Sequence, residues 1–203
     1  MTKKIIITGG LGYIGTELCK IYSGFSWHHK VIVFDNRFIS ERVNQIRNWN
    51  IDFIHGDILD KDLVNNLFKD ADVVHHLAGI TDVPRTQNES SQARDEKIRL
   101  VGEKGTQNIL DAISSKCKII FPSTHVIYEG IDKVKNDIEE EEISKPILSY
   151  STSKALNEKT SVITTEVKKI IEQRQTEKLV EMGKDPTHMK SKSLGLGKYS
   201  FTQ

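Results

Sequence analysis

IIITGGLGYIG, residues 5–15, joins two kinds of pattern. Three isoleucines make a run apolar enough for a strand buried on both faces, and the residues from Tyr13 to about Tyr22 have helical spacing. Between them, Gly10, Gly12 and Gly15 satisfy G-x-G-x-x-G, while Gly9, Gly12 and Gly15 satisfy G-x-x-G-x-x-G. Both spacings serve the same physics. One glycine turns the chain sharply out of the strand, another lets backbone approach a pyrophosphate, and the last lets helix and strand pack closely. The free N–H groups at the start of the helix, at Tyr13 and Ile14, and its positive dipole end then face the anion. Glycine turns have many uses. Placed between a strand and a helix, this one predicts a site for the phosphates of a dinucleotide.

Outward from that turn, short β-type runs alternate with longer helical ones. KVIVFD (30–35), IDFIHGD (51–57), ADVVHHLAG (71–79) and CKIIFPS (117–123) read as further strands; DLVNNLF (62–68) and a longer stretch from about Asp95 to Ser114 read as helices. Strands separated by helices of this length imply right-handed βαβ units and a doubly wound parallel sheet of α/β class, Rossmann-like. The expected organisation is one cofactor-binding domain over 1–159, followed by a charged helical segment and tail over 160–203. Within the first part, DKVKNDIEEEE (132–142) reads as charged surface. EVKKIIEQRQTEKLVEM (166–182) reads as helical, and 183–203 as a loose tail.

Composition removes several classes of function. The 203 residues carry a net charge of +1, which leaves no electrostatic footprint for nucleic acid or an anionic membrane. No apolar stretch approaches a membrane span, and the glycine turn interrupts the first apolar run too early for a secretion signal. A cytoplasmic protein is expected, with Cys19 and Cys117 as reduced buried thiols. His75-His76 does not suggest a metal, because adjacent strand residues point to opposite faces. His28-His29 reads as solvated loop, and Trp27 and Trp49 as packing or interface residues.

Asp35 ends the second strand twenty residues after Gly15. A carboxylate there accepts hydrogen bonds from both ribose hydroxyls of an adenosine and repels a 2′-phosphate, which favours NAD over NADP. Asn36 beside it belongs to the same candidate site. Arg37 opposes the argument, since a guanidinium pairs with such a phosphate, and a turn or cap role for Asp35 stays open.

YSTSK (150–154) places Tyr150 and Lys154 four residues apart, on one face if helical. An ammonium beside a phenol stabilises the phenolate, lowering its pKa from about 10 towards the range where it serves as general base or acid. The alternative is a surface contact between neighbouring turns. Ser123 and Thr124 directly follow the fifth strand, and ligands in such sheets bind beyond the carboxyl ends of the strands.

Taken together, TGGLGYIG (8–15), Asp35, GD (56–57), HLAG (76–79), STHVIY (123–128) and YSTSK resemble the extended short-chain dehydrogenase/reductase family, in its NAD-dependent epimerase/dehydratase group. The resemblance runs to about Lys159. It implies NAD as cofactor and a nucleotide sugar as substrate. Asp57 and Ile58 would lie against adenine and Leu77, Ala78 and Gly79 along the cofactor, with Thr124, Tyr150 and Lys154 as the catalytic set. It implies a tyrosine that takes a hydroxyl proton while hydride passes to the nicotinamide, and a homodimer pairing helices that include the tyrosine's.

Four departures accompany it. Glu129 stands where the family's motif has glycine, and Gly102 where the family usually has asparagine. His125 and Val126 replace the Asp-Glu pair of the 4,6-dehydratases, and valine transfers no proton, so dehydration is not expected. After Lys159 nothing resembles the family's substrate-binding region. Two readings follow: an oxidoreductase or epimerase acting on a nucleotide sugar, or a truncated or non-catalytic NAD-binding domain without turnover of its own.

Overall fold

The computed structural model describes residues 1–81, 87–129 and 145–161. Its sheet is built on β1 (Lys4–Thr8), whose alternating side chains divide the core in two. Ile6 points to one face, where it joins Phe34, Val64, Phe68, Val74 and Ile109; Ile5 and Ile7 point to the other, with Leu11, Cys19, Val33, Val43 and Ile46. Period-two alternation inside an unbroken apolar run is what burial on both faces requires. Each fully buried isoleucine contributes roughly 1.5–3 kcal/mol.

β2 (Lys30–Asp35) and β4 (Val73–His76) flank β1, β3 (Asp52–His55) lies outside β2, and β5 (Lys118–Ile120) outside β4. All pairings are parallel, with Ile6 opposite Ile32 on one side and Val74 on the other. The doubly wound parallel sheet is therefore as expected. The connection from β1 goes one way to β2, and from β3 the chain returns past β1 to β4. That reversal opens a crevice beyond the carboxyl ends of β1 and β4.

α1 (Tyr13–Ser23) and α2 (Ser40–Asn48) cover one face; α3 (Lys61–Phe68) and α5 (Gly105–Ala112) cover the other. α2 is missing from the sequence reading because only Val43 and Ile46 among its core positions are apolar, both buried. The long helix begins earlier than expected, as α4 (Gln92–Arg99), and passes through a π turn at Leu100–Lys104 before α5. Residues 149–161 form a sixth helix, α6, across the expected boundary at 159. The strands are shorter than their apolar patterns because 56–57, 77–79 and 122–123 leave the sheet to border the crevice. The expectations for 132–142 and for everything after 161, including the helical tail, lie outside the described residues.

Cys19 and Cys117 are buried and neither is in a disulfide; burial pushes the Cys19 thiol up to about 12. The two histidines of β4 do point apart. His75 Nε2 lies 2.7 Å from the Tyr22 hydroxyl on one face, and His76 is enclosed between Thr8 and Thr106 on the other. Trp49 packs against the core, whereas Trp27 is exposed. Among the described residues no helix is long and apolar enough to cross a membrane.

Candidate dinucleotide site

The glycines of the first turn divide their labour by what surrounds them. Gly9 has φ of +65°, and a Cβ there would sit 2.8 Å from the Ala78 nitrogen, so the turns after β1 and β4 meet backbone to backbone. A Cβ on Gly15 would lie 2.5 Å from Gly10 Cα and 2.7 Å from two carbonyl oxygens, so this glycine lets α1 pack against the turn. Gly12 is the N-cap of α1 and has no side chain to satisfy the first N–H groups. Those groups border an open cleft of about 640 Å³, together with Tyr13 and Ile14, both exposed.

On the β2 side of the cleft stand Asp35 and Asn36. Asp35 is 5% exposed, and its carboxylate accepts the N–H of Leu11 at 3.0 Å and of Arg37 at 3.0 Å. The Arg37 guanidinium lies 3.3 Å from the same carboxylate and is itself half exposed. Asn36 donates to Asp57 at 3.1 Å, while the other Asp57 oxygen accepts the Leu59 N–H at 2.9 Å. Asp57 and Ile58 line this region, and Leu77, Ala78 and Gly79 line the wall after β4.

Beyond β5, Ser123, Tyr150 and Lys154 also line the cleft; Thr124 is not among the lining residues. The Thr124 hydroxyl instead caps the short turn His125–Tyr128, accepting from the Val126 N–H at 3.5 Å. Lys154 Nζ donates to the Pro122 carbonyl at 3.0 Å, 4.3 Å above the Phe121 ring and 5.9 Å from the centre of the Tyr150 ring. Burial lowers the Lys154 pKa against the opposing pull of Glu158. Burial also raises Tyr150, so the lowered phenol expected from the Tyr-x-x-x-Lys spacing is not what this arrangement produces. The ammonium is spent on a carbonyl and an aromatic face.

Beneath the cleft runs a buried polar chain that no local pattern reveals. The Ala78 N–H donates to Thr8 Oγ1 at 3.0 Å, and Thr8 Oγ1 lies 2.8 Å from His76 Nδ1. His76 Nε2 lies 2.9 Å from Thr106 Oγ1, and the Thr106 hydroxyl donates to the Gly102 carbonyl. Thr106 has one hydroxyl proton and gives it to that carbonyl, so it accepts from His76 Nε2–H. His76 Nδ1 is then the acceptor for Thr8, which fixes the neutral tautomer. Burial, reinforced by the Lys154 charge, pushes His76 down to about 3.

Further lining residues escape the sequence reading, among them Ile80, Thr81, Lys97 and Val101. Lys97 and Val101 come from α4 and the π turn, with no motif to mark them. The bare glycine cradle, an elongated cleft and a buried carboxylate at the end of β2 fit a dinucleotide.

Fold and cleft together define a dinucleotide-binding α/β protein. A model of the 3-beta hydroxysteroid dehydrogenase/isomerase family matches residues 6–173, and the chain belongs to that family. It is 31% identical over 170 residues to a dTDP-D-glucose 4,6-dehydratase of Dictyostelium discoideum, covering 75% of this chain and 38% of that protein. It is 35% identical over 132 residues to a UDP-N-acetyl-alpha-D-glucosaminuronate decarboxylase of Bacillus cytotoxicus, covering 63% and 38%. Among solved structures, UDP-glucose 4-epimerase from Brucella ovis in complex with NAD superposes with a TM-score of 0.63 at 27% identity, covering 78% of this chain and 46% of that one. The chain thus spans about two fifths of the length of these curated relatives.

Proposed function

We propose that the chain binds NAD and acts on a nucleotide sugar as an oxidoreductase or epimerase, with Thr124, Tyr150 and Lys154 as its catalytic set. The observation that carries this reading is the order of groups across the sheet. Asp35 ends β2, the glycine turn ends β1, and Ser123, Tyr150 and Lys154 stand beyond β5, all on one cleft. Asp35 would hold the adenosine ribose, the first turn of α1 the pyrophosphate, and Leu77 to Gly79 the stretch between. NAD, when bound, supplies the hydride acceptor. Tyr150 would take the proton of a sugar hydroxyl, which requires Lys154 to turn its ammonium from the Pro122 carbonyl and the Phe121 ring towards the phenol, and Thr124 its hydroxyl from the short turn towards the substrate. The nature of the relatives supports the substrate class. His125 and Val126 leave no acid–base pair for loss of water, so the reaction favoured is exchange of hydride at a hydroxyl-bearing carbon.

The resemblance implies a homodimer, and the composition a cytoplasmic location. Leu100 and Leu156, about half exposed on the outer faces of the π turn and α6, are the apolar surface such a pairing would cover.

The test combines calorimetric titration with NAD and turnover assays on UDP-, GDP- and dTDP-sugars, following absorbance at 340 nm and epimerisation by NMR. NAD binding with turnover abolished by Tyr150→Phe is the expected result. NAD binding without turnover on any sugar would favour the non-catalytic domain, and absence of NAD binding would refute both.

A further inference from the structure

The helix that carries Tyr150 and Lys154 begins without a cap of its own. The Leu148 carbonyl accepts the Thr152 N–H at 2.9 Å, which makes Leu148 the N-cap, and leucine has no side-chain acceptor for the orphan N–H groups. The N–H groups at and just before the N-cap find their acceptor elsewhere. Glu129, at the end of the turn that follows β5, accepts the N–H of Ile147 at 2.7 Å and of Leu148 at 2.6 Å through one carboxylate oxygen, and the Ser151 hydroxyl donates to the same oxygen. Ser151 is buried at 1% exposure, so the contact closes against the body of the protein. The negative charge lies at the positive end of the helix dipole, where it is most favourable. Burial alone would raise the Glu129 pKa, but the bonds from Ser151, Leu148 and Ile147 outweigh it and hold the carboxyl below its ordinary value.

We propose that Glu129 is a positioning residue: it sets where α6 begins, and thereby holds Tyr150 in the cleft on which Ser123 and Lys154 also stand. The role of Tyr150 in chemistry rests on the reading given under Proposed function; the contact itself does not. Tyr150 is the second residue of α6 and depends on the first turn for its place. Lys154 lies a turn further on and has independent anchors in the Pro122 carbonyl and in Asn157, whose amide donates to the Gly102 carbonyl at 3.0 Å. Loss of the Glu129 contact should therefore displace the phenol more than the ammonium. Glu129 stands where the motif of the resembled family has glycine.

The experiment labels the full chain with 3-fluorotyrosine and follows Tyr150 by ¹⁹F NMR, assigned through Tyr150→Phe, with Tyr22 as internal reference. Glu129→Ala should shift and broaden the Tyr150 resonance and bring its raised phenol pKa back towards that of free 3-fluorotyrosine, leaving Tyr22 unmoved. Glu129→Gln keeps an oxygen acceptor of the same reach and should resemble the unmutated protein. Leu148→Ser, added to Glu129→Ala, gives the helix a local cap and should restore the Tyr150 signal. An unchanged Tyr150 resonance and pKa in Glu129→Ala would overturn the proposal, as would equal displacement of Tyr22 and Tyr150. None of these readouts requires NAD or turnover, so failure of the enzymatic reading would show separately, in the Tyr150→Phe assays.

Discussion

Replacing His76 by glutamine should change how stability depends on pH more than it changes stability at neutrality. Glutamine offers an amide nitrogen and oxygen to Thr106 and Thr8 but does not titrate. His76 is 1% exposed, and burial takes its pKa from the ordinary 6.5 to about 3. The folded protein therefore keeps the imidazole neutral while the unfolded chain takes up a proton below about 6.5. Stability from this group is complete above that pH and is lost as pH falls towards 3, at a limiting slope of about 1.4 kcal/mol per pH unit. Between pH 6.5 and 4.5 the loss reaches roughly 2–3 kcal/mol, a large share of the 5–15 kcal/mol typical of a domain. His75, lowered by burial and by Lys118, adds a loss of the same sign that both proteins share. Urea unfolding monitored by circular dichroism at pH 7, 6, 5 and 4.5 measures the difference. On acidification the difference between the two proteins should shift by about 2–3 kcal/mol in favour of His76→Gln. Parallel curves would mean that the folded protein does not hold His76 neutral below pH 6.5.

Calorimetry should find NAD bound more tightly than NADP, and Asp35→Ala should narrow the gap by removing both ribose contacts and repulsion while freeing Arg37 from its 3.3 Å pairing; equal affinities in the unmutated protein would refute this. Gly15→Ala places a methyl group 2.5 Å from Gly10 Cα, where only backbone can yield, so thermal or urea unfolding should record a loss of about 1–3 kcal/mol, and an unchanged midpoint would exclude the clash.

What was legible in the sequence had local causes. The glycine turn could be read because its constraints act on backbone: Gly9 and Gly15 each exclude a Cβ within a few residues of chain or against one neighbouring turn. β1 and β2 could be read because strands buried on both faces leave continuous apolar runs. α2 could not, since Val43 and Ile46 amid polar residues do not separate a one-sided helix from a loop. The Thr8–His76–Thr106 chain joins residues 68 and 30 positions apart, and HLAG by itself does not say what its histidine touches. Glu129 was visible only as a departure from a motif; its partners at 147–151 lie across 130–144, and a single sequence does not pair them. The motif around Ser123 and Thr124 pointed to the cleft, but which hydroxyl lines it depends on the turn that Thr124 caps.

Gly102 sits where α6 meets the π turn. A Cβ at 102 would stand 3.5 Å from Ser153 Cβ and closer still to its hydroxyl, so glycine there lets α6 pack tightly on the π turn. The turn places the Gly102 carbonyl where it accepts from two directions, from Thr106 below and from the Asn157 amide on α6. The Asn157 amide comes from the helix that carries Tyr150 and Lys154. The hydrogen bonds then run from the Ala78 N–H at the cleft wall through Thr8, His76 and Thr106 to the Gly102 carbonyl, where Asn157 of α6 also bonds. A neutral, directionally fixed imidazole at the centre is what keeps that chain unbroken, because a protonated His76 would present a donor to the donating Thr8 hydroxyl. The wall that lines the cleft and the helix that bears the tyrosine are thus held in register by buried polar contacts, and acid should loosen both together.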